Sequence, residues 1–158
     1  MLRTHAPARG RRAGWIVGGL LFTTLATSAP AQAQVPTTRL FPNDAGLVLN
    51  FIKPDKTADF EAVMAKLHEA LQKSDKPERR QQAASWKLFK SPDPAAGGNV
   101  LYVFVIDPAV RGADYTVSTI LAEAFPIVEV NALYKQYADA FAQGMNFVNL
   151  QLVQNFGR

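Results

Sequence analysis

Cysteine is absent from all 158 residues. Its absence excludes disulfides, thiol chemistry, cysteine–zinc centres and a lipid-modified N-terminal cysteine, so stability has to come from an apolar core. Histidine is almost as scarce, with His5 in the leading segment and His68 alone beyond it. Acidic residues are missing before Asp44, while Arg3, Arg9, Arg11 and Arg12 stand in that stretch. Those four arginines account for the whole formal charge of +4, because the other 13 Lys and Arg match 13 Asp and Glu. The basic balance therefore argues for neither nucleic acid nor an anionic membrane as a partner of the remaining chain. A membrane-spanning run is also lacking: the apolar stretch 15–22 is shorter than the roughly 20 residues that cross a bilayer.

What the leading segment does have is order. Basic residues precede the apolar run Trp15-Ile16-Val17-Gly18-Gly19-Leu20-Leu21-Phe22, and small residues follow to Ala29-Pro30-Ala31-Gln32-Ala33. This is the sequence of parts in a secretory signal, with Ala31 and Ala33 suited to the cleavage pockets. Residues 1–33 are read as a signal peptide, residues 34–45 as an extended leader, and residues 46–158 as one domain. Arg11-Arg12 could mark twin-arginine export, but Ala13 and Gly14 follow where that signal carries apolar bulk, so general secretion is the expected route. A periplasmic or secreted protein, free of the membrane after cleavage, is the expectation.

The domain reads as alternating strands and helices. Residues 46–53, Gly-Leu-Val-Leu-Asn-Phe-Ile-Lys, are rich in β-branched and aromatic residues and stop at Pro54-Asp55, as a strand would. Thr57 is a candidate helix cap, and Phe60, Val63, Met64, Leu67 and Leu71 then recur at helical spacing. Residues 73–82 are charged and contain Pro77, which predicts a solvated connection with a short helical piece at most. Strands are expected at 84–90 and 99–107, joined through the turn formers of 92–98 as an antiparallel hairpin. An irregular stretch from 108 to 116 leads to helical sequence at 118–125, a break at Pro126, a clearer helix over 129–143 stopped by Gly144, and a final alternating strand over 146–155. The order βαββαβ predicts an α+β, ferredoxin-like domain with a four-stranded antiparallel sheet.

The face pattern of the strands supports that topology, in which the first and third strands are central. Val100, Tyr102, Phe104 and Ile106 oppose Leu101, Val103 and Val105; Leu47, Leu49 and Phe51 oppose Val48, Asn50 and Ile52. Both strands are thus apolar on two sides, yet two helices cover only one face of such a sheet. The other needs a cover, because soluble monomers rarely expose so large an apolar patch. A second copy packed face to face, a homodimer with a closed interior, is the favoured cover. Folding of the leader and the segment near 108–117 over the face is the alternative.

Those features resemble a known group. The element order, the helix from Phe60 to Leu71 and the Trp86 strand leading to a Tyr-Val-Phe-Val partner are similar to the dimeric α/β barrels, which include antibiotic-biosynthesis monooxygenases and stress-responsive barrel proteins. The opening Gly-Leu-Val-Leu-Asn-Phe-Ile-Lys-Pro is also similar to that of uncharacterised exported bacterial proteins. The likeness spans about residues 46–156 and is one of pattern. It implies a dimeric barrel, in a group that holds cofactor-free oxygenases, haem-degrading enzymes, isomerases and proteins without known activity. No catalytic residue transfers, since the group has no shared functional motif.

Candidate site residues are correspondingly few. His68 sits on the flank of the first helix with no partner at metal spacing, and a haem or metal role competes with that of a boundary residue bonded to backbone or water. Asn50, Tyr102, Asn149 and Gln151 are polar or amphipathic groups on otherwise apolar strands, and Asn50, Asn149 and Gln151, if they share the face turned from the helices, would line the barrel interior and make an apolar pocket with a few directed polar groups. Pairing with each other or with water at a dimer interface is the alternative. Trp86 is a candidate for stacking on a ligand or for packing beside Phe89. The basic run Lys73, Lys76, Arg79 and Arg80 is broken by Asp75 and Glu78 and reads as solvated, and Gly97-Gly98 lacks the lysine and helix of a phosphate loop and reads as a turn. Asp107, Asp114 and Glu123 match no calcium loop. No metal and no cofactor is expected. The sequence thus predicts an exported, non-catalytic homodimer that binds an apolar or aromatic small molecule or serves as an interaction module. The alternative is a cofactor-independent monooxygenase-like enzyme, for which Asn50, Trp86, Tyr102 or His68 would have to converge on one cavity.

Overall fold

The computed structural model describes residues 38–157, so the predicted signal peptide and the start of the leader lie outside the described residues. Four strands, β1 (Ala45–Ile52), β2 (Trp86–Pro94), β3 (Val100–Ile106) and β4 (Asn146–Leu150), form one sheet in the order β2-β3-β1-β4. All three pairings are antiparallel. Four helices connect them: α1 (Thr57–Lys73), α2 (Pro77–Ser85), α3 (Val117–Ala124) and α4 (Ile127–Ala140). Central β1 and β3 with β2 and β4 at the edges is the ferredoxin-like arrangement that the sequence order implies.

Strand alternation sorts the side chains cleanly. Val48, Asn50 and Ile52 of β1 and Tyr102, Phe104 and Ile106 of β3 are buried beneath the helices. On α1 the same residues that recur at helical spacing, Phe60, Val63, Met64, Leu67 and Leu71, are buried with Ala70 against that face. Leu47, Leu49 and Phe51 with Leu101, Val103 and Val105 point the other way and are only half-buried, with Phe89, Val148 and Leu150 beside them more exposed still. Both faces of the two central strands are therefore largely apolar, and one of them carries no helix among the described residues.

The described part of the leader, residues 38–45, and the crossover do not cover it. Phe41, 2% exposed, packs edge-on against Tyr115 at 5.2 Å between ring centroids and lies near Phe147 on the helix side of the sheet. Tyr115 N donates to Arg39 O at 2.8 Å, Ala109 N donates to Asp44 O at 2.8 Å, and Arg39 N donates to Asp114 Oδ1 at 3.0 Å. Both segments are thus bound to each other on the face the helices already occupy. Gly46 makes the close fit possible, because a Cβ at that position would lie 2.1 Å from the Phe41 ring.

Several local expectations are corrected. Residues 77–85 form a full helix in place of a solvated connection, and Arg79 and Gln82 are buried on it. The mixed charges that suggested solvation include one that is paired internally: Arg79 donates from Nε and Nη2 to Glu123 at 3.0 and 2.9 Å and from Nη1 to Asp114 O at 2.5 Å. α1 begins at Thr57 itself, with no side-chain cap at Lys56, so Thr57 is not the capping residue. β2 runs on to Pro94 through an irregularity after Lys90. α4 ends at Ala140, ahead of Gly144, because the backbone turns to bridge β1: Phe141 pairs with Ile52, and Ala142 N donates to Phe51 O at 2.9 Å. Tyr134, placed on the apolar face of that helix by its spacing, is 54% exposed. The last strand stops at Leu150, five residues short of its expected end. Gly97 and Gly98 do form a turn, both at φ +73°, a region where a side chain would be strained.

Candidate functional site

The sites proposed from sequence are scattered. Strand register places Asn149 opposite Gly46, on the helix side together with Asn50. Asn50 and Asn149 therefore do not face the open side of the sheet, where a barrel interior would form. Asn50 is fully buried and serves the sheet, its Nδ2 donating to Val48 O and Tyr102 O at 3.2 Å each, while its Oδ1 has no partner. Gln151 follows the end of β4 and lines a surface depression with Asp44 and Arg111. The Tyr102 ring is buried against Phe60, and its hydroxyl donates to Glu61, which Lys90 also meets at 3.0 Å. Burial, and then the Glu61 carboxylate, push the Tyr102 phenol up. His68 is exposed on α1 beside Gln72, at the edge of a small apolar hollow that Trp86 also lines. Of the six candidates, Trp86 alone lines the aromatic cleft beside α4. Among the described residues no three His, Cys, Asp or Glu side chains group as a metal would require, and no helix is long and apolar enough to cross a membrane.

That cleft, of about 260 Å³, lies between the helix side of the sheet and α4. Its floor comes from Val48, Phe104 and Ile106, which strand alternation turns toward the helices; its walls come from Trp86, Tyr115, Tyr137, Phe141 and Phe147. Trp86 stands edge-on to Phe104 at 5.1 Å and to Tyr115 at 5.3 Å between ring centroids. Its indole Nε1–H is buried and has no acceptor among the described residues. A buried donor without an acceptor costs on the order of 1–3 kcal/mol, so it is a natural anchor for an acceptor atom that enters. Tyr137 donates to Met145 Sδ at 3.4 Å, and burial pushes its phenol far above the ordinary value, so it stays neutral.

Arg39 of the leader also lines the cleft. Its guanidinium lies over the Phe147 ring at 4.2 Å from the centroid, a cation–π contact. The neighbouring acid, Asp114, is engaged otherwise. Its burial works against ionisation, but hydrogen bonds from Thr116 and from the Arg39 and Thr116 amides outweigh that and hold its carboxyl below the usual range. Among the described residues no carboxylate lines the cleft.

Sequence reasoning missed Arg39, Phe41 and Tyr115, all in stretches without period. One signal was present: Leu40-Phe41 is a pair of large apolar residues within a polar, proline-containing leader, where burial is the economical explanation.

Strand order and cleft together define the class: a ferredoxin-like α+β protein with an aromatic-lined cavity between sheet and helices. Among solved structures, the chain is similar to a "putative antibiotic biosynthesis monooxygenase" from Caulobacter crescentus, at 16% identity and a TM-score of 0.42, over 73% of this chain and 94% of that one. No family model matches the sequence, and no curated protein matches it.

Proposed function

We propose that this chain is an exported, non-catalytic homodimer that binds an aromatic small molecule in the cleft between sheet and α4. The observation that carries the reading is the cleft itself, with aromatic walls, about 260 Å³ of room and one buried donor left unpaired. An apolar cavity of about 150 Å³ already holds benzene, so this one has space for a ring with a substituent or for two fused rings. His68 and Trp86 share one small hollow, but Asn50 is buried in the sheet beside Tyr102, so the four residues that an enzymatic reading would need do not all meet there or in the cleft. Export rests on the order of parts in residues 1–33.

The dimer rests on the open sheet face. Four strands about 4.8 Å apart, over some seven residues of about 3.3 Å rise, present on the order of 400 Å² in projection. Exposed Leu152, Val153 and Phe156 in the tail add apolar surface beyond β4. A stable interface buries about 800 Å² per partner, and a patch of this kind on a chain without net charge beyond residue 34 fits a second copy of itself.

The binding reading is tested by calorimetric titration with a neutral aromatic, 2-naphthalenemethanol. Saturable binding to the wild type, reduced at least roughly tenfold in Ala138→Phe, which fills the cleft from α4, is the expected result. Absence of saturation in the wild type would sink the reading.

A further inference from the structure

Among the described residues the cleft carries one cation and no acid, and that asymmetry points to the chemical class of its ligand. We propose that the cleft selects a planar aromatic carboxylate, its ring among the aromatic walls and its carboxylate on Arg39. The proposal rests on the binding reading above and narrows it.

Three observations support it. The Arg39 guanidinium donates no hydrogen bond and forms no ion pair among the described residues, although the cleft side of the leader brings it close to the aromatic cluster. Most other cations of the domain are spoken for: Lys56, Lys66, Lys73, Lys76, Arg79, Lys90, Arg111 and Lys135 all pair with carboxylates. The cation–π contact with Phe147 uses none of the guanidinium N–H groups as a donor to oxygen, and their fork geometry can meet a carboxylate bidentately.

The second observation is rigidity. Arg39 N donates to Asp114 Oδ1 and to Thr116 Oγ1 at 3.0 and 3.2 Å, and Arg39 O accepts from Tyr115 N at 2.8 Å. The backbone is thus held on both sides of the peptide while the side chain is left to the ligand, an arrangement that lowers the ordering cost of binding. The third is the Trp86 Nε1–H, a buried donor on the same cleft that also seeks an acceptor. A ligand with acceptor oxygens on a flat apolar ring answers all three; a cation or an aliphatic chain answers none.

The test compares 2-naphthoate with its neutral counterpart, 2-naphthalenemethanol, by calorimetry on the purified protein at pH 7.5, in the wild type, Arg39→Gln and Arg39→Lys. The wild type is expected to bind the anion at least about tenfold more tightly than the alcohol, the gain of a charge-assisted hydrogen bond. Arg39→Gln should erase that gap, with the larger loss falling on the anion, and saturable binding of the alcohol then shows that the cleft is intact; Arg39→Lys should restore part of the gap. Equal affinity of the wild type for both probes, or equal weakening of both by Arg39→Gln, overturns the carboxylate assignment while leaving aromatic binding standing. Failure of both probes to bind the wild type overturns the two together.

Discussion

Gly46 and Phe41 show how one missing side chain shapes the site. The ring of Phe41 occupies the space that a Cβ on Gly46 would need, and it thereby ties the leader to the helix side of the sheet, where Arg39 reaches the cleft. Gly46→Ala forces the ring out, with overpacking that costs about 1–3 kcal/mol. The expected result is a lower thermal midpoint and a loss of naphthoate binding that exceeds the loss for the alcohol, since displacing the leader moves Arg39 most. An unchanged midpoint in calorimetry would show that the ring is not seated on Gly46. Asn50 is a different case at the same scale. Its Oδ1 is buried without a partner, so Asn50→Asp should destabilise strongly, by several kcal/mol for an uncompensated buried charge, as measured by urea unfolding at pH 7.

At the scale of elements, the critical joint is between α2 and α3. Arg79, 2% exposed, binds Glu123 through two nitrogens, and Lys76 meets the same carboxylate at 2.9 Å. The Arg79 hydrogen bonds hold the Glu123 carboxyl down at about 2, against an ordinary 4.5. A depressed folded-state value means that the carboxylate stabilises the fold fully above about pH 4.5 and that this contribution is lost as pH falls from there toward 2. Wild-type urea midpoints should therefore drop across that window, and Glu123→Gln should show a shallower drop from a lower starting stability. Identical slopes would remove the pair from the account. Arg79→Ala, which leaves Glu123 with Lys76 alone and Gln82 without the 2.7 Å bond from Arg79 Nη1, should cost about 3 kcal/mol or more at pH 7, read by the same unfolding curves.

For the whole molecule, the decisive surface is the sheet face turned from the helices. The leader and the crossover were the chain's own candidates to cover it, and the crossover and the described part of the leader lie on the opposite side with Phe41 and Tyr115 in the core. A single Lys at its centre, Val103→Lys, should leave the circular dichroism spectrum unchanged while converting a sedimenting dimer to a monomer, because two such charges would oppose each other across the two-fold axis in an apolar layer. A wild type that already sediments as a monomer would end the dimer reading and leave the cleft untouched, since the cleft lies on the other face.

Local sequence by itself determined the order of the strands, the two-sided apolar character of β1 and β3, and hence the ferredoxin-like sheet, because the periods of 2 and 3.6 residues are written into neighbouring side chains. It also assigned Gly97-Gly98 to a turn. Tertiary structure alone decided which face each strand turns to the helices, since alternation sets the pattern but not its phase; that is why Asn50 and Asn149 went to the helix side, away from the expected barrel interior. It alone decided that Arg79 would be buried and Arg39 left unpaired, because the value of a charge depends on partners 44 residues away, as with Glu123, or on the lack of any. The cleft belongs wholly to that second kind of information: its lining comes from the leader, all four strands, the crossover, α3 and α4, and no local pattern records that they meet.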